Sequence, residues 1–96
     1  MNENDDIILE YLDDIAPSSE PPSVIRFNIE KRADEFGIEN RIGEMFTQNT
    51  VLNRLKKLES SGLVETDRQK GGYRKITEKG SAYLRGDYDV GGESED

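Results

Sequence analysis

The chain has no cysteine and no histidine. Disulfides are therefore excluded, and so are the usual zinc sites, which draw on those two residues. The side chains that most often act as nucleophile or proton shuttle near neutral pH are missing as well. No stretch approaches the roughly 18 apolar residues of a membrane span. Hydrophobic residues make up only 32% of the 96, so one modest domain with a small core is expected. There are no internal repeats. The opening Met1-Asn2-Glu3-Asn4-Asp5-Asp6 is acidic and polar, unlike a signal peptide. These absences predict a cytoplasmic, non-enzymatic protein that takes no metal and no cofactor and has no membrane partner.

Charge is plentiful but unevenly placed. The net charge is −8, which by itself argues against a polyanionic partner. Residues 1–46, however, hold twelve acids and four bases, residues 47–86 hold four acids and nine bases, and residues 87–96 hold five acids and no base. A basic block thus lies between two acidic ones, and it is expected to gather on one continuous side of the molecule. An acidic exterior suits a halophilic cytoplasm, because at 1 M salt the Debye length is about 3 Å and self-repulsion is tolerable. Residues 87–96 read as an acidic disordered tail behind a domain of residues 1–86. The tail lacks the acidic ladder of an EF-hand calcium loop.

A first helix is expected over about residues 4–16, capped by Asn4, with Ile8, Leu12 and Ile15 on one face beside Tyr11. Asp6, Glu10, Asp13 and Asp14 fall opposite, and a solvated face accounts for them without acid–base chemistry. Pro17 ends this helix, and residues 17–20 read as a linker. Pro21-Pro22 opens a second helix that runs to Phe36, with Gly37 as its stop. Ile25, Ile29, Ala33 and Phe36 form its buried stripe. Phe27 falls on the polar side and needs a cover, which residues 38–46 are expected to supply; a dimer contact is the alternative. Residues 38–46 read as a loop or short turn, with Met45 and Phe46 plugging the core.

The third helix, about residues 47–61, is the clearest. Thr47 is a good N-cap, and Val51, Leu55 and Leu58 align, with Leu52 beside them. Its other face presents Asn49, Asn53, Lys56 and Lys57, with Thr50 at the margin and Gln48 in the first turn. Residues 47–58 contain no acid, in a chain where 21 of 96 residues are Asp or Glu. An ordinary solvated face would mix Glu with Lys; this one suits an anionic partner. Asn and Gln can bond adenine edges in a major groove, Lys and Arg can meet guanine or phosphate, and the free N–H groups of the helix start can hold a phosphate. Two short strands, residues 63–67 and 73–76, flank a loop of residues 68–72. Arg68, Lys70, Arg74 and Lys75 give this hairpin four bases suited to a phosphate backbone or minor groove. Thr77 caps a last helix reaching Arg85, with Gly86 as its stop. Gly80, inside that helix, suggests the close approach of a neighbouring backbone.

The runs Thr47-Gln48-Asn49-Thr50-Val51 and Arg54-Leu55-Lys56-Lys57-Leu58, the Leu-Glu-x-x-Gly-Leu-Val at 58–64 and the Thr-Glu-Lys-Gly at 77–80 resemble winged helix-turn-helix transcription regulators. The likeness is closest to small haloarchaeal, phage-repressor-type proteins. It covers residues 47–85 well and the earlier helices more loosely; residues 38–46 are longer than the usual turn before a recognition helix. The resemblance implies an α+β, mostly α fold: three helices, a β-hairpin wing and a C-terminal helix. It also implies a DNA-binding archaeal repressor, usually a homodimer on two-fold double-stranded DNA, with recognition helix 47–61 in the major groove and wing 63–76 on the backbone or minor groove. The candidate base readers are then Gln48, Asn49 and Asn53, with Arg54, Lys56, Lys57, Arg68, Lys70, Arg74 and Lys75 on phosphates; Thr47 and Thr50 complete the candidate DNA contacts. The first helix, Phe27, and the last helix with Tyr83 and Leu84 are candidate dimer faces. A protein–protein interaction module on the same scaffold is the alternative.

Overall fold

A computed structural model describes residues 3–39 and 46–87. The order is α1 (Glu3–Ile15), α2 (Pro22–Lys31), α3 (Ala33–Phe36), α4 (Gln48–Ser60), β1 (Val64–Asp67), a 3-10 turn (Arg68–Lys70), β2 (Tyr73–Ile76) and α5 (Glu78–Leu84). Met45 and the expected tail from residue 88 onward lie outside the described residues.

Helix α1 is buried more fully than a one-sided stripe predicts. Ile7, Ile8, Leu9, Tyr11 and Leu12 are all enclosed, because α1 packs against α2, α4, α5 and β2 at once. It begins at Glu3, so Asn4 lies in its first turn rather than capping it. Its acidic side is only partly solvated: Asp6 accepts a bond from the Tyr83 hydroxyl at 2.8 Å and Asp13 one from Ser81 at 2.8 Å, both from α5. Ile25 and Ile29 of α2, Val51, Leu55 and Leu58 of α4, and Leu63, Val64 and Ile76 of the hairpin complete the core, together with Ile38 and Phe46.

The predicted second helix is two helices. Arg32 breaks it at φ −112°, ψ 27°, although no proline or glycine stands there. The cause is tertiary. The Arg32 guanidinium binds Asp14 of α1 at 2.7 Å and Glu35 at 3.0 Å and lies over the rings of Tyr11 and Phe36. These contacts draw the backbone out of helical register. Gly37 then stops α3 at φ 70°, as expected of a left-handed C-cap. Phe27 is 57% exposed, with the Lys31 ammonium 5.2 Å from its ring centre. Ile38 and Phe46 turn into the core and do not supply the expected cover; residues 40–45 lie outside the described residues.

β1 and β2 pair antiparallel, with Val64 opposite Ile76 and Asp67 opposite Tyr73. β2 is also paired on its other edge. The Glu20 amide donates to the Arg74 carbonyl at 3.0 Å and the Arg74 amide to the Glu20 carbonyl at 2.8 Å. The expected linker thus supplies a one-residue third strand. The Glu20 carboxylate in turn accepts from the Tyr11 hydroxyl at 2.6 Å and from the Asn28 amide at 3.3 Å. Burial first, and then this bond to Glu20, push the Tyr11 phenol from 10.0 up to about 12. Because the folded state holds that proton longer, stability is intact below pH 10 and falls as pH rises toward 12. Absorbance at 295 nm should show a tyrosine that ionises only near pH 12, and the Tyr11→Phe variant should lack that late step. Ionisation of every phenol by pH 11 would contradict the buried contact.

The last helix starts at Thr77, whose hydroxyl accepts from the Gly80 amide and donates to the Gly62 carbonyl. Gly80 is buried where α5 crosses the hairpin; a Cβ there would lie 2.4 Å from the Leu63 carbonyl oxygen and 2.5 Å from Ile76. The close backbone approach read from the sequence is this contact. The architecture is a mostly helical α+β winged helix.

Candidate nucleic-acid interface

The Thr47 hydroxyl accepts from the Thr50 amide at 3.2 Å and donates to the Thr50 hydroxyl at 3.1 Å. Both hydroxyls are therefore partly spent on capping α4, and both residues are half-buried. Val51, Leu55 and Leu58 fix the buried side of the helix. The opposite side exposes Asn49, Leu52, Asn53, Lys56, Lys57 and Ser60, a stripe three to four residues apart along one face. Gln48 sits half-buried in the first turn. Leu52, expected beside the apolar stripe, stands in the exposed one instead. An apolar side chain there suits a thymine methyl.

The cations divide into three groups. Lys56, Lys57 and Lys70 are exposed and form no ion pair among the described residues. Arg68, 78% exposed, meets Glu59 at 3.3 Å. So open a pair is worth about 0–1 kcal/mol and exchanges easily for a phosphate; it also brings the wing tip against the last turn of α4. Arg54, Arg74 and Lys75 depart from expectation. Arg54 is 24% exposed and holds Asp5 by two bonds, 2.7 Å from Nε to Oδ1 and 2.8 Å from Nη2 to Oδ2. Asp5 is 1% exposed. The guanidinium fork is thus occupied by a buried carboxylate, which raises its proton affinity further, and it does not face a phosphate.

Arg74 and Lys75 cannot share one surface, because successive strand residues point to opposite faces. Lys75 crosses the hairpin to Glu65 at 3.6 Å. Arg74 lies on the face that carries Val64 and Ile76, folded onto the Gly72 carbonyl. Its Nε and the hydroxyl of Thr66, its cross-strand partner, are buried without a hydrogen-bond partner. The basic block is therefore partly neutralised by Asp5, Glu59 and Glu65, and the open cationic surface is smaller than its sequence count. The wing tip itself is well ordered in its local bonding. The Asp67 carboxylate accepts from the amides of Gln69 and Lys70 at 3.1 and 3.2 Å, and Gly71 and Gly72, at φ 85° and 90°, close the turn.

Among the described residues no cluster of acidic side chains could hold a metal ion, and no helix is long and apolar enough to cross a membrane. The family model of the ribonuclease R winged-helix domain matches residues 28–84, from the later half of α2 to the end of α5. That span includes α4, the wing and every candidate contact above. The match supports the winged helix; it is to a family other than the phage-repressor-type regulators that the motifs resemble. No curated protein and no solved structure matches the chain. A winged-helix domain suggests nucleic-acid binding in general, and with more than half of its length matched, the chain belongs to the ribonuclease R winged-helix domain family.

Proposed function

We propose that the chain is a sequence-specific, double-stranded-DNA-binding transcription regulator without a catalytic step of its own. It acts as a repressor by occupying a promoter, as a homodimer on a two-fold site. The observation that carries this reading is the acid-free exposed stripe of α4, with Asn49 and Asn53 one turn apart near a capped helix start. In this reading Asn49 and Asn53 bond base edges and Leu52 meets a thymine methyl. Lys56, Lys57, Arg68 and Lys70 hold phosphates. The overall negative charge slows approach at low salt, so base contacts have to supply more of the affinity than the phosphate term alone.

The experiment is selection of bound duplexes from a random pool, followed by gel shifts. Asn53→Ala should cost about 1–3 kcal/mol on the selected site and relax its sequence preference. Lys70→Ala should weaken all duplexes alike and lower the salt slope by about one. The same sequence as an RNA duplex should bind poorly, because the A-form major groove is too narrow for a helix. Equal affinity for the RNA duplex would overturn the placement of α4 in a major groove.

Phe27 favours a second reading, a protein-interaction module, since Val24 and Phe27 leave an apolar strip exposed on α2. Under that reading no duplex is enriched by selection, and Phe27→Ser abolishes capture of a protein partner.

A further inference from the structure

Asp5 is the one charged side chain enclosed in the core among the described residues, and no contact assigned to nucleic acid uses it. It binds Arg54 across 49 residues of chain, through the fork geometry described above. Arg54 stands on α4 immediately after Asn53 and two residues before Lys56, between the buried stripe and the exposed one. Two parallel bonds fix the plane of the guanidinium as well as its position. They hold α4 at a defined rotation about its own axis, adding a directional constraint to the apolar contacts of Val51, Leu55 and Leu58, which are non-directional. A rotation of about 20° displaces side chains at the helix surface by roughly 2 Å. Recognition groups need placement within about 0.5 Å, so that displacement destroys a paired amide–base contact.

A buried ion pair is also a poor source of stability. Its desolvation cost rivals its attraction, and a well-packed apolar pair of similar volume serves the fold equally well or better. We propose that Asp5 and Arg54 are positioning residues that set the rotation of α4 on the core and so determine which bases Asn49 and Asn53 meet. The proposal rests on α4 being the base-reading helix. It makes Asp5 a specificity determinant that never touches nucleic acid.

Two variants test it, the double variant Asp5→Leu/Arg54→Met and the single variant Arg54→Lys, which keeps the charge and loses the fork. The readouts are the thermal midpoint, the rotation of α4 about its own axis relative to α1 from residual dipolar couplings, and the ratio of affinities for a selected and a scrambled duplex. The double variant should melt at or above the parent temperature with α4 rotated about its axis. Its affinity ratio should fall about tenfold or more, with the salt slope unchanged. Arg54→Lys should lose part of the ratio with no change in slope. An unchanged rotation of α4, or an unchanged ratio in both variants, overturns the proposal, and so does a salt slope that drops by about one in the double variant, which removes the Arg54 charge. If the parent prefers no duplex at all, the base-reading function is what fails, and the couplings still decide whether the pair orients α4.

Discussion

Replacing Arg54 alone by methionine is expected to lower the unfolding free energy by about 3–5 kcal/mol, the usual cost of removing one partner from a buried pair. The variant takes from the Asp5 carboxylate, 1% exposed, the two bonds of the guanidinium fork. A chain of this length has a total stability of about 5–14 kcal/mol, so the loss is between about a fifth and the whole of it and should show as a large shift of the urea midpoint. The reciprocal change is milder. Asp5→Asn removes the buried charge itself and leaves Arg54 with a quarter of its side chain in solvent, so its loss should be about half as large. Urea unfolding at pH 7 gives both values. Two equal losses below 1 kcal/mol would mean that the carboxylate is hydrated and the clamp is not closed in solution.

Gly80→Ala should destabilise the protein although it improves the helix. Alanine gains about 1 kcal/mol in a helix interior, and φ at this position is not of the kind that favours glycine. The decisive contact is the Leu63 carbonyl oxygen, 2.4 Å from the added carbon. That oxygen is backbone, already accepts the Thr77 amide, and has no rotamer by which to move aside. A net loss of about 2 kcal/mol is expected, the upper end of overpacking penalties less the helix gain. Thermal melts of the variant should show it directly, and a raised melting temperature would contradict the packing of α5 on the hairpin.

Most of the fold could be read from local rules. Thr47 and Thr77 cap the helices the sequence assigned them, Gly37 stops α3, and the Gly71-Gly72 turn closes the hairpin where the basic loop predicted it. Three misreadings share a cause, since each depends on a partner distant in sequence. Arg32 breaks a helix by reaching Asp14, 18 residues away. Glu20 becomes a strand by pairing with Arg74. Arg54 reads as a surface cation because α4 looks uniformly basic. At 100° per residue it lies about 65° from the centre of the apolar stripe, nearer to the core than to Asn49 or Asn53, but helix geometry does not name the carboxylate it meets. The separation of Arg74 from Lys75 was available from strand alternation alone.

Glu20 also determines what the wing can do as a mechanical part. Its main chain is hydrogen-bonded to β2 while its carboxylate is bonded to Tyr11 of α1 and Asn28 of α2. The root of the hairpin is riveted to two helices through one residue, and bending is left to the turn beyond Asp67 and Tyr73. The protein is in that sense a caliper with a fixed jaw. The span between the α4 side chains and the hairpin tip is preset, so a nucleic acid that touches both must match that span or deform to meet it.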